Sequence, residues 1–261
     1  VCGDSMELNR DYESAAIYKW RKKRKKAFVL FICIVGICFL VTRMVRVEDK
    51  TTVKVHNMHT EQNEKAIRYV ASNMIKEDPK IAITFDDGPS PAWTPQLLDG
   101  LKERNVKATF FLIGENAKNN PELVKREAEE GHLIGNHTYH HVEITRVPDE
   151  TAQEEILMTN EVITGITGEE VSYMRPPFGV WQKNLERKLD VMPVLWTIDP
   201  LDWTTDNEDE IINKVVTQAG EDDIILLHDC YESSVNAALR IVDILQKEGF
   251  EFVTVDELIM N

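Results

Sequence analysis

Five short blocks of this 261-residue chain carry side chains able to do chemistry if the fold brings them together. Asp86 and Asp87 stand side by side within Thr84-Phe85-Asp86-Asp87-Gly88-Pro89. Two adjacent carboxylates repel unless a cation or a proton is shared between them. Gly88 permits an unusual backbone turn, which aims both side chains into one cavity. His137, His140 and His141 fall within Gly135-Asn136-His137-Thr138-Tyr139-His140-His141. On a helical turn the i, i+4 pair His137 and His141 faces one way and can share a metal; His137 with His140, at i, i+3, is a geometrical alternative. Two imidazoles and one aspartate form a three-ligand set that leaves a position open for water, as in catalytic zinc sites.

The other three blocks offer donors, acids and bases. In Arg175-Pro176-Pro177-Phe178-Gly179 the prolines lack N–H groups, so the first backbone donors are those of Phe178 and Gly179, placed to face a developing oxyanion. Asp199-Pro200-Leu201-Asp202-Trp203 adds two carboxylates and an aromatic ring. In Leu226-Leu227-His228-Asp229 the histidine follows an apolar run, a placement suited to a partly buried acid or base. No G-x-S-x-G elbow occurs, which speaks against a serine esterase.

These blocks need elements to hold them. Short apolar runs over Ile81–Phe85, Ala108–Ile113, His132–Gly135, Val171–Met174, Met192–Ile198, Ile224–Leu227 and Phe250–Val255 read as strands. Helical patterns over Thr94–Arg104, Pro121–Glu130, Asp149–Thr164, Gln182–Leu189, Glu208–Gln218 and Ser234–Lys247 alternate with them. The alternation predicts a parallel α/β fold, in which chemistry collects at the carboxyl ends of strands. Each chemical block follows such an end.

Taken in order, the five blocks resemble those of the polysaccharide deacetylases with a NodB homology domain, carbohydrate esterase family four, over about Lys80 to Met260. T-F-D-D-G together with H-T-x-x-H carries most of the selectivity. The resemblance implies an irregular (β/α)7-type barrel and a metal-dependent hydrolysis of acetyl groups on a polysaccharide. It also implies roles. Asp86 matches the catalytic base, and Asp87, His137 and His141 match the metal ligands, leaving His140 a bystander. Arg175 matches the arginine that orients the base, and Phe178 the residue whose N–H holds the oxyanion. Asp199 matches the tether of the catalytic acid and His228 the acid itself, while Trp203 and Leu226 match the lining of the acetyl-methyl pocket. The implied cofactor is one divalent ion, zinc by its ligands, with cobalt or nickel also compatible. His132 reads as structural and Cys230 as a small packing residue; His56 and His59 have no assigned role.

Charge divides the chain. Of 30 basic and 45 acidic residues, residues 1–47 hold 10 and 4, and the remainder 20 and 41. The net −15 excludes a nucleic-acid binder, and 43% hydrophobic residues exclude a wholly disordered chain. The basic hexad Arg21–Lys26 precedes the uncharged run Ala27–Thr42, about 24 Å as a helix. Extended to Val47, with Arg43 and Arg46 snorkelling, it reaches about 31 Å, enough for a hydrocarbon core of about 30 Å. No small-residue cleavage site follows, so the expectation is an uncleaved signal anchor. The cation asymmetry places the N-terminus in the cytoplasm and the remainder outside, on a single-pass cell-membrane protein. The expected organisation is therefore a cytoplasmic tail over 1–26, a transmembrane helix over 27–47, a stalk over 48–78 and a catalytic domain over 79–261.

The anchor favours a substrate at the producing cell's own surface, peptidoglycan N-acetylglucosamine foremost. Chitin oligomers, an exopolysaccharide and xylan are the alternative substrates, and an inactive glycan-binding wall protein is the alternative class.

Overall fold

The structure, a computed structural model, describes residues 78–181, 185 and 189–260. The expected tail over 1–26, transmembrane helix over 27–47 and nearly all of the stalk lie outside these residues, as does most of the helix expected over Gln182–Leu189. Among the described residues no helix is long and apolar enough to cross a membrane.

Seven strands run parallel: β1 (Lys80–Asp86), β2 (Thr109–Leu112), β3 (Leu133–Asn136), β4 (Tyr173–Met174), β5 (Met192–Pro193), β6 (Ile224–His228) and β7 (Glu251–Phe252). The order is β5-β4-β3-β2-β1-β6, with β7 pairing the first residues of β1. The α/β architecture is thus a half-barrel of parallel strands. Between β5 and β6 the sheet continues, among the described residues, through a single bridge, Ile198 to Ile225. The strand expected over Met192–Ile198 is therefore short, because Arg175 Nε and Nη2 take the carbonyls of Val194 and Leu195 that a longer ladder would use.

The helices are α1 (Thr94–Glu103), α2 (Gly114–Asn119), α3 (Pro121–Glu129), α4 (Asp149–Thr167), α5 (Glu208–Val216), α6 (Glu232–Lys247) and α7 (Val255–Met260). Pro121 opens α3 and Pro148 immediately precedes α4, where a missing N–H is harmless. Two short helices, α2 and α7, did not show in the periodicity, which needs more than six residues to register.

Strand alternation sorts the core into two faces. Ile81, Ile83 and Phe85 of β1, Phe110 and Leu112 of β2, and Ile225 and Leu227 of β6 pack outward beneath the helices. Ala82 and Phe111 point to the concave side, with Val194, Val253, Val255 and Leu258, so α7 closes its lower end. Thr84 and Asp86 share the concave face of Ala82, two and four residues on. The register sets Asp86 beside His228 and Phe111, and Asn136 beside Leu112 and Met174. All the chemical blocks therefore emerge at one rim.

Candidate active site

Arg175 follows β4 and is completely buried in the half-barrel. Its Nη1 donates to Asp86 Oδ1 at 2.8 Å and to Thr84 Oγ1 at 2.6 Å. The guanidinium lies 4.3 Å from the centre of the Phe111 ring and 5.6 Å from that of Trp196. Burial lowers the Arg175 pKa and the Asp86 charge works against that fall. A buried guanidinium needs such a partner, and the pairing fixes one oxygen of Asp86 while leaving Oδ2 facing the rim. Oδ2 lies 3.8 Å from His137 Nε2.

Asp87, His137 and His141 converge as the resemblance implies, but not on a helical turn. The segment after β3 is a bend in which Thr138 and His141 take left-handed backbone, φ 60° and 55°. Local contacts fix it: Asn136 Oδ1 accepts the Thr138 N–H at 2.7 Å, and Glu155 of α4 accepts the N–H groups of Tyr139 and His140. His137 Nδ1 lies 2.7 Å from the Arg175 carbonyl. A carbonyl only accepts, so Nδ1 carries the proton and the Nε2 lone pair faces the cavity. His137 Nε2 and His141 Nε2 each stand 3.4 Å from Asp87 Oδ1. His140 turns away to Glu155 Oε1, at 2.8 Å.

The fit of this cluster to a divalent ion rests on an orphaned atom. Asp87 Oδ1 is buried without a hydrogen-bond partner among the described residues. The three ligand atoms lie within 4.8 Å of one another. Burial raises the Asp87 pKa, yet His137, His141 and His228 outweigh it and hold the carboxyl below its ordinary value. An ionised carboxylate and two imidazole nitrogens pointing at one spot match the ligand chemistry of zinc-type sites.

His228, at the end of β6, is held by Asp202 and not by Asp199. Asp202 Oδ1 accepts Nδ1–H at 2.8 Å and Oδ2 accepts the His228 backbone N–H at 2.9 Å. This corrects the tether expected at Asp199. Asp199 Oδ1 instead accepts the N–H of Leu201 at 2.8 Å, and the chain reverses at Leu201, φ 57°, carrying the fully buried Asp202 beneath His228. Burial lowers the His228 pKa, but the Asp202 hydrogen bond and charge, with Asp86 and Asp87, raise it to about 9. Burial raises the Asp199 pKa, the Leu201 contact opposes it, and Asp202 adds to the rise. The signal that pointed to Asp202 was Asp199-Pro200 itself, since an aspartate before proline readily turns the chain with its own side chain.

Gly179 N–H donates to the Pro176 carbonyl at 3.0 Å, so of the two expected donors it is already engaged. Phe178 has left-handed backbone, φ 61°, and its ring lies 5.0 Å from that of His141. Leu226 is buried two residues before His228 on the same strand face, whereas Trp203 is 57% exposed and stands at the rim. His132 accepts the Ala108 N–H at 3.1 Å and packs edge-on to Phe110, a structural placement. Cys230 has its pKa pushed up to about 12, first by burial and then by Asp87, which leaves it an inert thiol.

A half-barrel rim that holds a metal-capable triad, an arginine-fixed carboxylate and a carboxylate-held imidazole defines a hydrolytic site of the metal-assisted kind. The chain belongs to the polysaccharide deacetylase family. The family's sequence model, described as polysaccharide deacetylase, matches residues 73–194. The peptidoglycan-N-acetylglucosamine deacetylase PgdA of Listeria monocytogenes serotype 1/2a is 37% identical over 216 residues, 80% of this chain and 46% of that relative. This chain thus spans about half the length of PgdA. A peptidoglycan-N-acetylglucosamine deacetylase of Bacillus cereus is 39% identical over 199 residues, 73% of this chain and 93% of the relative. The solved structure of peptidoglycan deacetylase PdaC from Bacillus subtilis aligns with TM-score 0.68 at 39% identity, covering 69% of this chain and 90% of that one.

Proposed function

We propose that this chain removes N-acetyl groups from amino sugars of a cell-surface polysaccharide, peptidoglycan N-acetylglucosamine foremost. The observation that carries this reading is the convergence of Asp86 with Arg175, Asp87 with His137 and His141, and His228 with Asp202 at one rim. The peptidoglycan deacetylases among its relatives support the substrate.

Asp87, His137 and His141 would hold a divalent ion, zinc by preference, which would supply Lewis acidity at the acetyl carbonyl and a more acidic water. Asp86, oriented by Arg175, accepts the proton of the attacking water at Oδ2. The Phe178 N–H donates to the developing oxyanion, a donor whose removal costs about 3–4 kcal/mol in comparable sites. His228, charged at neutral pH because Asp202 holds it, gives its Nε2 proton to the departing amine. Leu226 and Trp203 border the acetyl methyl.

The half-barrel reads as the irregular (β/α)7 barrel of a NodB homology domain behind a membrane-spanning helix over 27–47. The hexad Arg21–Lys26 and the uncharged run after it support the anchor and an extracellular catalytic domain. The test is mass spectrometry of peptidoglycan and N-acetylglucosamine oligomers after incubation with the zinc-loaded chain. Products lighter by one acetyl group are expected. Unchanged masses on every glycan overturn the activity; loss of acetyl from chitin oligomers alone overturns the substrate.

A further inference from the structure

The residue after His228 carries a carboxyl that the proposed chemistry leaves unused. Asp229 is completely buried, as is Thr94 at the start of α1. The Thr94 hydroxyl donates to Asp229 Oδ2. The same hydroxyl oxygen accepts the backbone N–H of Ser90 at 2.7 Å, in the loop that leaves β1. A Cβ built on Gly88 would lie 2.5 Å from both Asp229 carboxyl oxygens, so the carboxyl sits against the Gly88 backbone. Only glycine leaves room for that approach.

The loop is also held from the opposite side. Asn116 Nδ2 donates to the Asp87 carbonyl at 2.8 Å, and the Ile113 N–H donates to the Gly88 carbonyl at 3.1 Å. Between these supports Asp87 adopts left-handed backbone, φ 71°. Such a conformation is unfavourable for a non-glycine residue and persists only where its surroundings impose it.

We propose that Asp229, through Thr94 and by contact with Gly88, is a positioning residue that clamps the Asp87–Ser90 loop and sets the direction of the Asp87 carboxylate toward His137 and His141. The proposal rests on the reading of those three residues as a metal site. Ion affinity then depends on a carboxyl that does not ligate. Partners that orient ligands typically change affinity by about 10–100-fold when removed.

The test measures zinc affinity of the full chain by competition with a chromophoric chelator. Thr94→Val keeps the shape of the side chain and removes both hydrogen bonds; it is expected to weaken zinc binding about tenfold, while Thr94→Ser stays within about twofold of the unaltered chain. Gly88→Ala is expected to weaken zinc at least as much. Asp229→Ser alone is expected to weaken zinc about tenfold, and Gly88→Ala combined with Asp229→Ser binds zinc little more weakly than either single variant, because both changes break the same contact. Equal affinities for Thr94→Val and Thr94→Ser, or independent additive effects at Gly88 and Asp229, overturn the clamp while leaving the metal reading intact. An unaltered chain that binds no zinc overturns both. If Thr94→Val does not fold, the Gly88 and Asp229 cycle decides alone.

Discussion

Asp86 and Asp87 are neighbours in sequence with unlike surroundings, and the roles proposed for them follow that difference. Asp86 is tied to a buried guanidinium, whereas Asp87 offers an unpartnered oxygen to two imidazoles. Asp87→Ala is expected to abolish stoichiometric zinc binding, while Asp86→Asn keeps zinc and loses about 10²–10⁴-fold in kcat. Metal analysis beside acetate release checks this, and equal metal loss in both variants would reverse the roles. His228 gives a second expectation at this scale. Its pKa is raised to about 9 chiefly by Asp202, and the acid role proposed for it requires the protonated form. Asp202→Asn removes the raising charge, so the alkaline limb of the kcat profile shifts to lower pH by a unit or more. Asp199→Asn, which keeps an acceptor for the Leu201 N–H and removes a charge that makes no hydrogen bond with His228, shifts it less. Equal displacements in the two profiles would restore Asp199 as the tether.

Helix α3 shows how an element places a group where composition would not. Its inward face is Leu123, Val124 and Glu127, spaced three and four apart, so Glu127 is carried into the core. Both of its carboxyl oxygens lack hydrogen-bond partners among the described residues. Burial, and then the charge of Asp229, raise its pKa well above the ordinary value. The folded state therefore binds a proton that the unfolded chain has released, and stability falls as pH rises above about 4.5, by up to about 1.4 kcal/mol per unit. Glu127→Gln removes this slope, so its stability relative to the unaltered chain rises as pH increases above about 4.5 and stops changing with pH below it. Urea denaturation across that range measures it; parallel curves would refute the neutral, buried carboxyl.

For the whole molecule, the charge count divides the chain into a basic and an acidic part. The basic segment over residues 1–47 precedes an acidic remainder, and the proposed anchor joins them. The full chain is expected to sediment with membranes and resist extraction by high salt, whereas removal of residues 27–47 releases it to the supernatant. A full chain extracted by salt alone would exclude a spanning helix, since screening weakens exposed charge contacts and leaves hydrophobic insertion intact.

Much of the fold and site was legible in residue order. The strand positions and the chemical blocks at their carboxyl ends rest on local spacing, because apolar runs register without knowledge of distant neighbours; the spacing left His137 paired with either His140 or His141, and the bend after β3 brings His141 to Asp87 and turns His140 to Glu155. The tertiary structure decided which groups act on one another across long separations. Parallel register brings Arg175 to Asp86 and Thr94 to Asp229, pairs 89 and 135 residues apart. It also decided between two aspartates three positions apart. Asp199 spends its oxygen on the turn and Asp202 reaches His228, because the backbone reverses at a left-handed leucine. Asp199-Pro200 signals a turn in the sequence, but not which aspartate the turn delivers to His228.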